Sequence, residues 1–161
     1  MIRNTTKHQK MGWVLFLLYL ALLVYFLFFA ESFGRTDSTR SGYSYNLIPL
    51  KEINRFWTYR EKLGIRAFML NIFGNIIGFM PGGFFLPVVS RRSKKWYNTV
   101  LIGFVFSFLV ESIQLIFKVG SFDVDDMILN TLGALLGYVM YEAVQHVRIW
   151  RRHRGRRKEA E

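Results

Sequence analysis

The chain has 161 residues, of which 52% are hydrophobic and 17% aromatic, and its formal net charge is +11. It contains no cysteine, which excludes disulfides, thiolate metal sites and cysteine nucleophiles. The hydrophobic residues come in long blocks instead of an amphipathic pattern, so the composition predicts an all-α polytopic membrane protein.

Four blocks are long enough to cross a bilayer, and they predict a four-helix transmembrane bundle. The predicted spans are residues 11–30, 67–89, 96–117 and 127–146. They form one membrane domain, residues 11–147, between tails at 1–10 and 148–161. Ala30-Glu31-Ser32 resembles a signal-peptide cleavage site. The apolar stretch before it is longer than a usual signal core, so we expect the first span to remain as an anchor.

The distribution of basic residues predicts the orientation of the chain. Basic clusters precede the first span, fill the short connection between the second and third spans, and follow the fourth: Arg3, Lys7 and Lys10; Arg91, Arg92, Lys94 and Lys95; and seven residues from Arg148 to Lys158. Both termini are therefore expected in the cytoplasm, although the first outer loop also carries seven basic residues against four acids. The basic tail is expected to meet anionic lipid and not nucleic acid.

The first outer loop contains a further helical pattern. From Leu50 to Leu63, apolar residues such as Trp57 alternate with charged residues at roughly helical spacing. This pattern is typical of an amphipathic helix that lies in the membrane interface.

Glycine and proline residues in the second and fourth spans bear on helix packing. Gly74 with Gly78, and Gly133 with Gly137, form small-xxx-small pairs. We expect these pairs to serve close helix packing and not ligand binding. Pro81 lies inside the second span, where it is expected to kink or end the helix.

Polar residues recur at three- and four-residue spacing in three of the spans, so each set lies on one helix face. The sets are Asn71 and Asn75; Ser107, Glu111, Gln114 and Lys118; and Asp126 and Asn130. An ionised carboxylate at mid-membrane costs roughly 2.5–3.5 kcal/mol, so Glu111 needs partners, protonation or nearby water. With the predicted orientation the sets converge in the outer leaflet, which predicts an outward-facing polar pocket between these helices.

Simpler roles for the same residues stay open. Asn71 and Asn75 can hydrogen-bond neighbouring helices without binding a ligand. Asp123, Asp125 and Asp126 can cap the start of the fourth helix and complement its dipole.

Four segments together resemble the VanZ-like family. They are Asn46-Leu-Ile-Pro49, Asn71-Ile-Phe-Gly-Asn75, Glu111-Ser-Ile-Gln114 and Ser121-Phe-Asp-Val-Asp-Asp126, within a stretch from about Tyr43 to Tyr141. The resemblance implies a small protein of the bacterial plasma membrane, and the founding member of the family is associated with resistance to the glycopeptide teicoplanin. An arginine often seen before the Phe-Asp segment in such families has no counterpart here.

The residues and the resemblance together define a candidate binding site with nine members. They are Asn46, Asn71, Asn75, Glu111, Gln114, Asp123, Asp125, Asp126 and Asn130. The favoured hypothesis is a non-catalytic cell-envelope protein whose pocket engages a lipid headgroup, a lipid-linked cell-wall precursor or the glycopeptide. Membrane lipids are the expected partners, no cofactor and no metal is expected, and a homo-oligomer stays open.

Two alternatives remain from the residues alone. In the first, the protein is a membrane enzyme that modifies a lipid or lipid-linked precursor, with Glu111 as acid or base and Asp123, Asp125 and Asp126 on a divalent cation. In the second it is a small transporter, because acids within membrane spans also mark proton-coupled pathways.

Overall fold

The computed structural model describes residues 7–28 and 43–158. Six helices and one short strand pair make up this part of the chain: α1 Lys7–Phe28, β1 Tyr45–Asn46, α2 Lys51–Thr58, α3 Arg60–Leu63, α4 Ile65–Val89, α5 Trp96–Ile116, β2 Phe122–Asp123 and α6 Val124–Lys158. The motif Ala30-Glu31-Ser32 and the ends of both predicted tails lie outside the described residues.

Four of these helices are long and apolar enough to cross a membrane, over Lys10–Phe28, Phe68–Val89, Trp96–Ile116 and Val124–Arg154. The prediction of an all-α polytopic bundle is confirmed. In a helix the backbone N–H and C=O groups bond to each other. A segment surrounded by lipid requires this, because lipid offers these groups no partner. Many large apolar side chains on these helices accordingly point away from the protein, among them Leu17 and Leu101, which are 59% and 58% exposed.

The two ends of the bundle differ in chemistry. One end, which we call the polar end, is where α1 and α5 finish and where α4 and α6 begin. The opposite end, the basic end, holds the connection between α4 and α5 with a short 3-10 turn at Arg92–Lys94. At the basic end the Tyr138 hydroxyl donates a hydrogen bond of 2.8 Å to the backbone oxygen of Lys94.

Two helices continue past positions at which the sequence allowed them to end. α4 continues through both Pro81 and Pro87 to Val89, so the helix does not end at Pro81. α6 has 35 residues and includes most of the segment predicted as a basic tail. At 1.5 Å per residue it is about 52 Å long, which exceeds the ~30 Å hydrocarbon core of a bilayer.

The predicted amphipathic segment forms two short helices, α2 and α3, separated at Tyr59. On α2, Ile53 and Phe56 are half-buried, whereas Arg55 is exposed and forms an ion pair of 2.5 Å with Glu52. The Trp57 ring lies 5.8 Å from the ring of Phe68 at the start of the second span.

The bundle core depends on close contact between α4 and α6, which run in the same direction. A Cβ atom added at Gly133 would lie 2.3 Å from the backbone oxygen of Ile76, and one added at Gly137 would lie 1.9 Å from that of Met80. These distances are far inside van der Waals contact. The backbones touch because neither glycine has a side chain.

The expected role of the glycine pairs is correct for only one of them. A Cβ atom at Gly74 would meet nothing within 4 Å, and one at Gly78 would meet the Leu23 side chain of α1 at an ordinary 3.7 Å. On α4 the glycine that permits the close contact with α6 is Gly83. A Cβ atom there would lie 1.9 Å from the backbone oxygen of Ala134.

We predict that Gly137→Ala destabilises the protein and that Gly74→Ala does not. The first substitution forces two helix backbones apart and is expected to cost at least about 2 kcal/mol. The second adds a methyl group in open space and improves helix propensity. Thermal unfolding of the detergent-solubilised protein, followed by far-UV circular dichroism, compares them. Equal melting temperatures for the two variants would contradict the backbone contact.

Candidate functional site

The first and third connections of the bundle meet in a parallel strand pair at the polar end. Tyr45 is the partner of Phe122, and Asn46 is the partner of Asp123. The Phe122 N–H also donates to the backbone oxygen of Ser44 at 3.1 Å. This pair places Asn46 directly beside the start of α6, although 77 residues separate it from Asp123 in the sequence.

Asp123 is the centre of a chain of hydrogen bonds. Its Oδ1 atom accepts from Asn46 Nδ2 at 3.0 Å and from the Asp125 N–H at 2.9 Å, so it caps the first turn of α6. Its own N–H donates to Glu111 Oε2 at 3.1 Å. Glu111 is only 3% exposed. A buried carboxylate of α5 therefore fixes the backbone at the start of α6.

Burial raises the pKa of the Asp123 carboxyl above its ordinary value, and the Asp125 carboxylate adds to the rise. The hydrogen bonds from the Asp125 N–H and from Asn46, together with the charge of Arg55, act in the opposite direction. The net effect is a carboxyl group that binds its proton more tightly than a solvated aspartate does.

Asp125 caps a different helix from its own. Its Oδ2 atom accepts hydrogen bonds from the backbone N–H groups of Glu52 at 2.7 Å and Ile53 at 3.1 Å, and its Oδ1 atom accepts one from the N–H of Leu50. The N-cap residue of α2 is Leu50, at φ 65°, and it offers no side-chain cap. The Asp125 carboxylate, 1% exposed, supplies that cap from α6.

Two asparagine pairs lie next to this chain of hydrogen bonds. Asn75 Nδ2 donates to Asp126 Oδ1 at 2.6 Å, joining α4 to α6. Asn130 Nδ2 donates to Ser107 Oγ at 2.9 Å, joining α6 to α5. Asn130 is 1% exposed, and its Oδ1 atom has no hydrogen-bond partner within the described part of the chain. Glu111 and Asp126 each make a further interaction within the protein.

Gln114 and Asn71 lie at the edges of the group. Gln114 Nε2 donates to the backbone oxygen of Leu27 at 3.0 Å and so ties α5 to α1. Asn71 is half-buried, and its side chain makes no hydrogen bond among residues 7–28 and 43–158. Lys118 leaves the stripe that the sequence indicated, because it follows the end of α5 at φ 55° and its Nζ atom lies 4.9 Å from the centre of the Tyr43 ring.

The nine predicted residues thus fall into distinct groups. Asn46, Glu111, Asp123 and Asp125 form one continuous network, which with Asn75, Asp126 and Asn130 we call the polar cluster. Sequence reasoning missed the backbone of α2 as a partner. It also left Ser107 out of the site, although Ser107 lies four residues before Glu111 on the same stripe.

The cluster is organised to satisfy polar groups within the protein. The three aspartates bond to different partners, and no set of three His, Cys, Asp or Glu side chains converges on a common point among the described residues. Asn75 and Asp126 are half-buried, as is Asn71, whereas the other members are buried. The accessible edge of the cluster therefore lies between α4 and the first turn of α6.

Four membrane-length helices that enclose a hydrogen-bonded polar cluster at one end define a multi-pass helical membrane protein. The family model described as VanZ/LLP1 matches residues 16–145 of the chain. The protein belongs to the VanZ/LLP1 family, and this membership supports a membrane protein associated with glycopeptide resistance. Comparisons with curated proteins and with solved structures find no match.

We predict that Asp125→Ala releases the start of α2. Without the carboxylate, the N–H groups of Glu52 and Ile53 lose their acceptor, and the loss of a helix cap costs about 1 kcal/mol or more. Hydrogen exchange at these amides should become roughly fivefold faster or more. Glu61→Ala removes an exposed acid from the neighbouring α3 and serves as the control, with unchanged exchange in α2. Unchanged exchange in both variants would disprove the cap.

We predict that Asp123→Asn removes one component of the pH dependence of stability. The folded-state pKa of Asp123 lies above its unfolded value, so its contribution to stability is fully present below the unfolded pKa and is lost as pH rises through the folded pKa. The variant retains an oxygen acceptor for Asn46 but carries no charge. Its melting temperature should exceed that of the parent at neutral pH, and the difference should shrink on acidification. Parallel pH profiles would refute this.

Proposed function

We propose that the protein is a non-catalytic component of the bacterial cell envelope that contributes to teicoplanin resistance. In this proposal the polar cluster faces outwards and engages a lipid headgroup, a lipid-linked cell-wall precursor or the glycopeptide. The observation that carries the proposal is the concentration of buried and half-buried polar side chains at one end of a bundle whose membrane-length helices are otherwise mostly apolar. Polar residues within a membrane are expensive and usually serve a function.

The charge distribution supports the proposed orientation. The connection at the basic end carries Arg91, Arg92, Lys94 and Lys95, and α6 ends in further basic residues at the same end. Under the positive-inside rule this end faces the cytoplasm of a bacterial plasma membrane, which places both termini inside and the polar end outside. Lipid-linked precursors are displayed on that outer face, and glycopeptides act there.

The hydrogen bonds divide the cluster into a supporting part and a contacting part. Glu111, Asp123 and Asp125 are buried and hold backbone amides, so their proposed role is to fix the shape of the polar end. Asn75 and Asp126 are half-buried and form the accessible edge, together with Asn71, which is half-buried and lies outside the cluster. We propose that these three side chains touch the ligand. Their amide and carboxylate groups suit the hydroxyl, amide and ammonium groups of headgroups and precursors.

Chemical catalysis fits the same geometry less well. Glu111 already accepts a hydrogen bond from the backbone of Asp123, and the three aspartates do not converge as ligands of one cation. A binding role requires no rearrangement of the observed hydrogen bonds.

The test is the teicoplanin susceptibility of a sensitive Gram-positive host that expresses the chain. We expect the parent to raise the inhibitory concentration and Asp126→Asn to lower it about fivefold, the factor that one hydrogen bond of about 1 kcal/mol gives. Glu111→Gln should also lower it, through the supporting network. Glu61→Gln, the same change on an exposed residue of α3, is the control and should protect like the parent.

Membrane levels of every variant must be equal by immunoblot. Protection by Asp126→Asn and Glu111→Gln equal to that of the parent would disprove the role of the cluster. A parent chain that gives no protection would disprove the contribution to resistance.

A further inference from the structure

A cavity of about 110 Å³ opens on the side of the bundle between α1 and α5. Its walls include Phe16, Tyr19 and Leu20 of α1, Phe79 and Gly82 of α4, and Phe106 of α5. We call this cavity the α1–α5 crevice. None of the residues that line it belongs to the polar cluster.

The crevice is a dry site. Its only hydroxyl group, that of Tyr19, donates a hydrogen bond of 2.9 Å to the backbone oxygen of Gly78 and so needs no water. All other lining side chains are apolar. Apolar cavities stay free of water and accept apolar ligands, as an engineered cavity of roughly 150 Å³ does with benzene.

The size and position of the crevice indicate its occupant. Pockets for drug-sized ligands measure about 300–1,000 Å³, so the crevice accepts only a slender apolar group. It is continuous with the lipid-facing surface, because Ile102 at its edge is 41% exposed and Val105, on the next turn of α5, is 47% exposed. The surrounding medium at this depth consists of acyl chains.

The crevice lies at the middle depth of the bundle and extends towards the basic end, because Leu86 is three residues before the end of α4. The hydrogen bond from Gln114 to Leu27 joins α5 to α1 at the polar end. Phe106 and Ile102 are eight and twelve residues before Gln114 on α5, which corresponds to drops of about 12 Å and 18 Å. The acyl chains of one leaflet cover about half of the ~30 Å core, so a chain from either leaflet reaches part of the crevice.

We propose that the α1–α5 crevice binds one acyl chain of a membrane lipid. Selectivity for the crevice over bulk lipid comes from dispersion contacts with its aromatic walls, because no hydrophobic gain exists between lipid and an apolar crevice.

The test uses the full chain in liposomes of phosphatidylglycerol that contain a trace of the same lipid with a diazirine on one acyl chain. After illumination, peptide mass spectrometry locates the label. We expect Leu20 and Phe106 to carry about fivefold more label than Leu17 and Leu101, which are exposed to lipid but lie outside the crevice. Equal labelling at all four positions would overturn the proposal.

A matched pair of variants separates specific binding from general exposure. Ile102→Trp fills the edge of the crevice and should lower the labelling of Leu20 about fivefold, whereas Leu101→Trp adds the same side chain on the lipid-facing surface and should leave it unchanged. Both variants must match the parent in circular dichroism. If Ile102→Trp retains full labelling, the crevice is not the site.

A second copy of the chain is the competing occupant. A photoreactive phenylalanine analogue in place of Leu20 captures lipid if the proposal is correct, and a dimer-sized product would overturn it. The labelling requires no drug, so it is independent of the susceptibility test. A chain that labels in the crevice without giving protection retains the acyl site and loses the resistance role, and the opposite result removes the acyl site alone.

Discussion

Water is scarce in the hydrocarbon core of a bilayer, and a polar group placed there must find its partner within the protein. The polar end of this bundle obeys that constraint through backbone groups as much as through side chains. Glu111 holds the N–H of Asp123, and Asp125 holds two N–H groups of α2 together with that of Leu50. These hydrogen bonds attach the first and third connections between the membrane-length helices to α5 and α6. A carboxylate that looks like a ligand-binding group in the sequence is here a structural acceptor.

The close approach of α4 and α6 is the second condition for this arrangement. Gly133 and Gly137 let the backbones touch, so Asn75 of α4 reaches Asp126 of α6 with short side chains. Bulkier residues at the glycines would separate the helices and break this bond. Asn130 of α6 lies against Ser107 of α5, where both side chains are almost inaccessible. The hydrogen bond between Asn75 and Asp126 therefore depends on the close packing of α4 against α6.

The sequence predicted the helices well because their signals are local. The blocks of apolar residues locate all four membrane-length helices, and the spacing of the polar stripes places Glu111 and Asp126 at the same end of the bundle. It could not predict that Asp125 caps α2, because that contact depends on the path of a loop 72 or more residues away. Nor could it tell that Gly83, and not Gly74, meets α6, since this depends on how the two helices cross.

The length of α6 links the two faces of the membrane mechanically. Its first turn carries Asp125 and Asp126, and the same unbroken helix carries Arg148 and the basic residues that follow. A helix is stiff over this distance, so a tilt imposed on its basic end, for example by attraction to anionic lipid, displaces its first turn as well. Gly133 and Gly137, where α6 touches the backbone of α4, lie between the two ends. A tilt of α6 at the basic end thus also moves the surface at the polar end.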